Sequence, residues 1–170
     1  MDTHRSEIKA AEHLNSANKM KRKLQVCTQL FNAPKEKVFY QLCPTRELDW
    51  IHGWQCDLVH TTTGYVEPDC IFRTPPDNKL GEGLWIFTDW VPNEKVEIVR
   101  IMGDYLVLHM RITLTDHDNN TSKGTWHLTF TALNDRGNEI IDAMPDENTD
   151  IQKAIQGLDY FLTTGNLMTT

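Results

Sequence analysis

Phe31-Asn32-Ala33-Pro34-Lys35-Glu36-Lys37-Val38-Phe39 is the stretch on which the fold turns, and Arg46-Glu47-Leu48-Asp49-Trp50-Ile51-His52-Gly53-Trp54 completes it. A strand arriving at Phe31 stops at Asn32-Ala33-Pro34, and a short helix over Lys35 to Cys43 follows. Asn32 suits the cap of the first turn. Pro34 suits the first helical position, where a missing N–H costs nothing, and Glu36 favours the positive end of the helix dipole. Val38, Phe39 and Leu42 share one helical face, and two tryptophans follow closely, so the segment covers something large and apolar.

Outward from this segment the chain reads as strands. Leu24 to Phe31 precedes it. Trp54 to His60, Cys70 to Thr74, Gly83 to Val91, Lys95 to Met102, Tyr105 to Thr115 and Lys123 to Leu133 follow, separated by turns such as Pro75-Pro76-Asp77-Asn78 and Gly103-Asp104. Connections this short make an antiparallel meander. The remainder is helical. A short helix opens at Asp135 and carries Ile140, Ile141 and Met144 before Pro145, and Thr149 caps a longer one. In that longer helix Ile151, Ala154, Ile155, Leu158, Phe161 and Leu162 recur at three- and four-residue spacing, and Gly165 is a suitable stop.

With 170 residues, one domain is expected, large enough to bury a core without disulfides or a structural metal. Cys27, Cys43, Cys56 and Cys70 are too far apart in sequence for a Cys-x-x-Cys metal site and read as reduced, buried thiols. No apolar run is long enough to span a bilayer, and the polar N-terminus lacks the apolar core of a signal peptide. A cytoplasmic protein with no integral membrane segment is the expectation. The net charge of −7 argues against a nucleic-acid partner, even with five tryptophans available for stacking. The first segment is the exception, because Arg5, Lys9, Lys19, Lys21, Arg22 and Lys23 outnumber its acids. Its thin apolar stripe of Ile8, Ala11 and Leu14 suits a helix lying on the domain or pairing with a second copy as a homodimer.

The order of elements is that of an α+β helix-grip fold. A curved antiparallel sheet of about seven strands wraps around a long C-terminal helix, with two short helices after the first strand. The two quoted stretches, together with Thr125-Trp126-His127-Leu128-Thr129-Phe130-Thr131-Ala132-Leu133 and Tyr160-Phe161-Leu162-Thr163-Thr164-Gly165, resemble the SRPBCC superfamily over residues 24–165. That superfamily groups START-type lipid carriers, birch-pollen-allergen relatives and polyketide cyclase/dehydrase-like bacterial proteins. The expected division is a basic helical extension over residues 1–22, a helix-grip domain over 23–165 and a tail over 166–170.

The resemblance implies an elongated cavity between the concave sheet face and the last helix, for lipids, sterols, polyketides or aromatic molecules. Strand alternation names the residues that would face it. Leu106, Leu108, Met110, Ile112 and Leu114 form one face, as do Trp126, Leu128 and Phe130. The same rule selects Trp54, Cys56 and Leu58, then Phe72 and Thr74, Trp85 and Phe87, and Val96, Ile98 and Arg100; Ile155 and Leu158 answer from the helix. Gly83 to Val91 is apolar on both faces, so Ile86 and Trp90 compete there with Trp85 and Phe87. By the same parity His109, Arg111, Thr113, His127, Thr129 and Thr131 fall on the convex face, and a slip of one residue would swing the histidines inward. In that case His109 and His127 would form a general-base pair or join Asp89 at a metal; on the convex face no metal is expected.

Few polar groups remain for chemistry. Arg100 needs a counter-charge, expected from an internal or rim carboxylate and otherwise from an anionic ligand head group. Asp49 and His52, three apart beside Trp50, form a pair able to move a proton, although each also suits an exposed turn. Glycine-rich phosphate loops, nucleophile elbows and dinucleotide fingerprints are missing, and no cofactor is expected. The leading expectation is therefore binding of a small hydrophobic or amphipathic ligand rather than catalysis. The rivals are a cyclase, dehydratase or isomerase-like enzyme using Arg100, Asp49 and His52, and a non-catalytic interaction module whose cavity is filled by its own side chains.

Overall fold

The structure, a computed structural model, describes residues 9, 19–78 and 80–169. Seven strands form one antiparallel sheet in the order β1-β7-β6-β5-β4-β3-β2. They are β1 (Arg22–Phe31), β2 (Asp57–His60), β3 (Ile71–Thr74), β4 (Gly83–Val91), β5 (Lys95–Met102), β6 (Leu106–Asp116) and β7 (Ser122–Ala132). Helix α1 (Lys35–Gln41) and a 3-10 turn (Glu47–Asp49) lie between β1 and β2; α2 (Asp135–Ala143) and α3 (Thr149–Thr164) follow β7. This is the helix-grip arrangement expected from the order of elements.

The extension expected over residues 1–22 falls mostly outside the described residues. Its end is tied into the domain: Lys21 pairs with Asp142 of α2, and β1 already begins at Arg22. Asn32 does not cap α1. The residue before that helix is Pro34, with no side-chain cap, and Asn32 instead donates backbone and side-chain N–H to Asp159 of α3. The first strand is thereby fastened to the long helix. Helix α3 is capped one residue earlier than its sequence suggests, by Asn148, whose Oδ1 accepts from Ile151 N at 3.0 Å, and it ends at Gly165 in the left-handed region (φ 72°).

Strict alternation holds along β6 and β7. Leu106, Leu108, Met110, Ile112 and Leu114 are buried, as are Trp126, Leu128 and Phe130. In β4 Trp85 and Phe87 take the inner face, and a bulge between Phe87 and Asp89 resolves the ambiguity of its apolar run. The extra residue carries Trp90 back to the inner side, opposite Val96, where its ring meets Phe39 edge-on at 4.6 Å. Of the competing pair Ile86 and Trp90, Ile86 stays on the outer face and only Trp90, beyond the bulge, joins Trp85 and Phe87. Ile155 and Leu158 of α3 are buried, and Gly157 lets the helix approach the Trp50 carbonyl, which an added Cβ would meet at 3.2 Å.

Candidate ligand site

A cavity of about 420 Å³ lies between the concave sheet face and α3. The sheet supplies Phe72, Trp85, Phe87, Ile98, Arg100, Leu108, Met110, Trp126 and Phe130, and α3 supplies Ile151, Ala154 and Ile155. The segment between α1 and β2 adds Glu47, Trp50, Ile51 and Trp54, and Tyr105, Met144, Pro145, Glu147, Asn148 and Asp150 also border the space. The wall tryptophans spend their N–H groups elsewhere. Trp54 Nε1 donates to Pro44 O at 2.8 Å, Trp85 Nε1 to Thr74 Oγ1 at 3.0 Å and Trp50 Nε1 to Gln41 O at 3.2 Å. Their carbon surfaces are what the cavity meets.

Several expected positions differ. Leu58 is 40 % exposed, because the paired strand starts only at Asp57 and its register shifts between Leu58 and His60, so the alternation running from Trp54 does not continue through it. Leu128 and Leu158 are fully buried but pack in the core rather than on the cavity wall. Thr74 is likewise off the wall, bonded to Gly81 O at 2.7 Å, and the half-buried Cys56 gives its Sγ–H to Pro44 O at 3.3 Å. Burial, reinforced by Glu47, pushes the Cys56 thiol up to about 11, so it stays protonated and unreactive. All four cysteines are free.

Asp49 and His52 are both exposed and do not line the cavity. The carboxyl that does is Glu47. Residues 47, 50 and 51 share one side of the 3-10 turn and its continuation, with Glu47 O accepting from Trp50 N and Ile51 N, so burial of Trp50 and Ile51 carries Glu47 inward. Among the described residues its carboxyl has no hydrogen bond or cation, and desolvation pushes it up to about 8. It therefore holds its proton more tightly than an exposed glutamate does. The helical spacing of Glu47, Trp50 and Ile51 is the signal in the sequence that marks it.

Arg100 is buried on the cavity wall, but the expected internal or rim carboxylate is not there. Among the described residues no acid pairs with it. Its Nη2 donates to Glu82 O at 2.8 Å, and its Cζ lies 4.7 Å from the Trp85 ring centre. Gln25, the remaining inner polar group, is satisfied: it donates to Pro145 O and accepts from Asn148 Nδ2 at 2.9 Å.

The polar convex cluster is separate. Glu97 receives Arg111 Nε at 2.8 Å and lies 3.0 Å from His109 Nε2, while Asp89 pairs with Lys95. Burial raises the Glu97 carboxyl, but these bonds outweigh it and hold it below the usual range. His109, His127 and Asp89 therefore do not converge on the cavity, and among the described residues no three His, Cys, Asp or Glu side chains are placed to hold a metal. Among those residues no helix is long and apolar enough to cross a membrane.

No family model and no curated protein matches the chain. Solved structures do. Norcoclaurine synthase from Thalictrum flavum, in complex with dopamine and hydroxybenzaldehyde, superposes with a TM-score of 0.64 at 10 % identity, over 85 % of this chain and 88 % of that one. An uncharacterized protein from Rhizobium leguminosarum gives 0.62 at 13 % identity, over 85 % and 96 %. Ara h 8.0201 gives 0.61 at 11 % identity, over 85 % and 99 %. At these identities the likeness is one of fold, and the chain shares the helix-grip fold of these structures.

Proposed function

We propose that this protein binds a small hydrophobic or amphipathic molecule in the cavity between its sheet and α3. The observation that supports the reading is a roughly 420 Å³ space, lined by aromatic and aliphatic side chains, that the protein's own residues leave unfilled. That volume lies in the range of small-molecule sites, and its few polar groups are of the number that orients a ligand. An interaction module with a filled interior fits this less well. The complex of norcoclaurine synthase with dopamine and hydroxybenzaldehyde adds support for an aromatic ligand. Native mass spectrometry before and after denaturation tests the reading: a released apolar species of constant mass is expected. Release of nothing, with no binding from a panel of fatty acids, sterols and aromatic polyketides, overturns it.

Glu47 favours a second reading, a cyclase, dehydratase or isomerase-like enzyme. A carboxyl held near neutral pH inside an apolar cavity can donate a proton to a bound carbonyl or hydroxyl and take one back. Under this reading Glu47→Gln abolishes turnover of a bound substrate while leaving its affinity within a few-fold; unchanged turnover removes Glu47 from the chemistry.

A further inference from the structure

Arg100 occupies the middle of a cross-strand ladder on the concave face, with Trp85 opposite it on β4, Phe72 opposite Trp85 on β3, and Leu108 opposite Arg100 on β6. The Phe72 and Trp85 rings are stacked at 5.5 Å and 10°, and the guanidinium continues the stack. Arg100 is 8 % exposed, and its Nε is buried without a hydrogen-bond partner. A guanidinium has five N–H donors, and among the described residues this one gives a single hydrogen bond, to the Glu82 carbonyl.

The surroundings are shaped to this side chain. A Cβ at Gly83 would fall 2.6 Å from Nε and 2.9 Å from Cγ, and one at Gly81 would fall 3.2 Å from Nη2, so Gly81 in the β3–β4 connection and Gly83 at the start of β4 leave room for the arginine. The acids of the same wall do not neutralise it. Among the described residues Arg100 forms no ion pair with Glu47, Glu147 or Asp150, and the last two are exposed. Burial lowers the Arg100 pKa to about 10, so it remains charged. A buried cation without an opposite charge is costly, and an anion delivered by the ligand removes that cost.

We propose that Arg100 is a carboxylate-binding subsite, and that the cavity takes aromatic monocarboxylic acids with the carboxylate on the guanidinium fork and the ring against the aromatic wall. This deepens the ligand-binding reading and rests on it. Charge-assisted bonds to a planar fork give a carboxylate an advantage of about tenfold or more over its neutral isostere.

The test is calorimetric titration at pH 7 with 2-naphthoate and 2-naphthamide, which share a ring system and differ in charge. The wild type is expected to bind the carboxylate at least tenfold more tightly. Arg100→Met is expected to erase that preference, and Arg100→Lys to keep part of it. Equal affinities in the wild type, a comparison that needs no variant to fold, overturn the proposal and leave the cavity reading standing. So does a preference that survives in a folded Arg100→Met protein. If neither compound binds, nor any apolar probe, both fall together.

Discussion

Replacing Glu47 with glutamine should remove a pH dependence built into the cavity. The folded carboxyl is raised from 4.5 to about 8 by burial, so the native state holds its proton more tightly than the unfolded chain. Stability from this group is therefore full below pH 4.5, falls as pH rises between 4.5 and 8, and is level above 8. At about 1.4 kcal/mol per pH unit the whole shift corresponds to roughly 5 kcal/mol. Glu47 retains some surface open to solvent, and hydration of the ionised form reduces the expected loss to about 2–3 kcal/mol. Glu47→Gln, a neutral isostere of the protonated acid, should match the wild type at pH 5 and exceed it by that amount at pH 9. Urea midpoints measured for both proteins from pH 5 to 9, with constant m-values, supply the comparison. The difference curve isolates Glu47, because Glu97 contributes oppositely and equally in both proteins. Its lowered carboxyl stabilises above the ordinary 4.5 and loses that contribution as pH falls further. Parallel curves for the two proteins across the range would refute the claim that burial in the cavity raises the Glu47 carboxyl.

Asn148→Ala should lower stability by about 1–2 kcal/mol, because it removes both the α3 cap to Ile151 N and the bond to Gln25; thermal melts check it, and a loss below 0.3 kcal/mol would show that the cap is dispensable. Gly124→Ala should cost about 1–3 kcal/mol by overpacking, since its Cβ would fall 2.5 Å from the Trp126 ring and 2.9 Å from Phe31. Trp126 borders the cavity, so this variant should also bind apolar probes more weakly. Unchanged stability and unchanged probe affinity together would show that the ring moves freely without entering the ligand space.

How far the sequence could be read depended on whether a feature was periodic. The alternation of Leu106 to Leu114 and the helical recurrence of Ile151, Ile155 and Leu158 each have one buried solution, so the sheet, the final helix and the inner face of β6 and β7 were legible. Where periodicity broke, so did the reading. The β4 bulge uses both Phe87 and Trp90 on one side, and no pattern in Gly83 to Val91 marks the inserted residue. Leu58 was assigned inward by extending a strand through Trp54, Gln55 and Cys56, which lie outside the strand. Polar partners are set by tertiary contacts that sequence distance does not encode. Asp49 attracted notice for its proximity to His52, whereas Glu47, two residues earlier, is the carboxyl that the buried Trp50 and Ile51 draw inward. For Arg100 the expected internal or rim carboxylate is missing among the described residues, an absence that no sequence spacing encodes.

The central claim is that the space between sheet and α3 receives an apolar molecule. Trp50, Trp54, Trp85 and Trp126 all border that space, so energy transfer from tryptophan to the neutral probe N-phenyl-1-naphthylamine tests it directly. The account predicts saturable transfer at one probe per chain, with quenching of tryptophan emission. Probe emission that stays at its value in buffer, or that rises without saturating while tryptophan emission is unchanged, would contradict it.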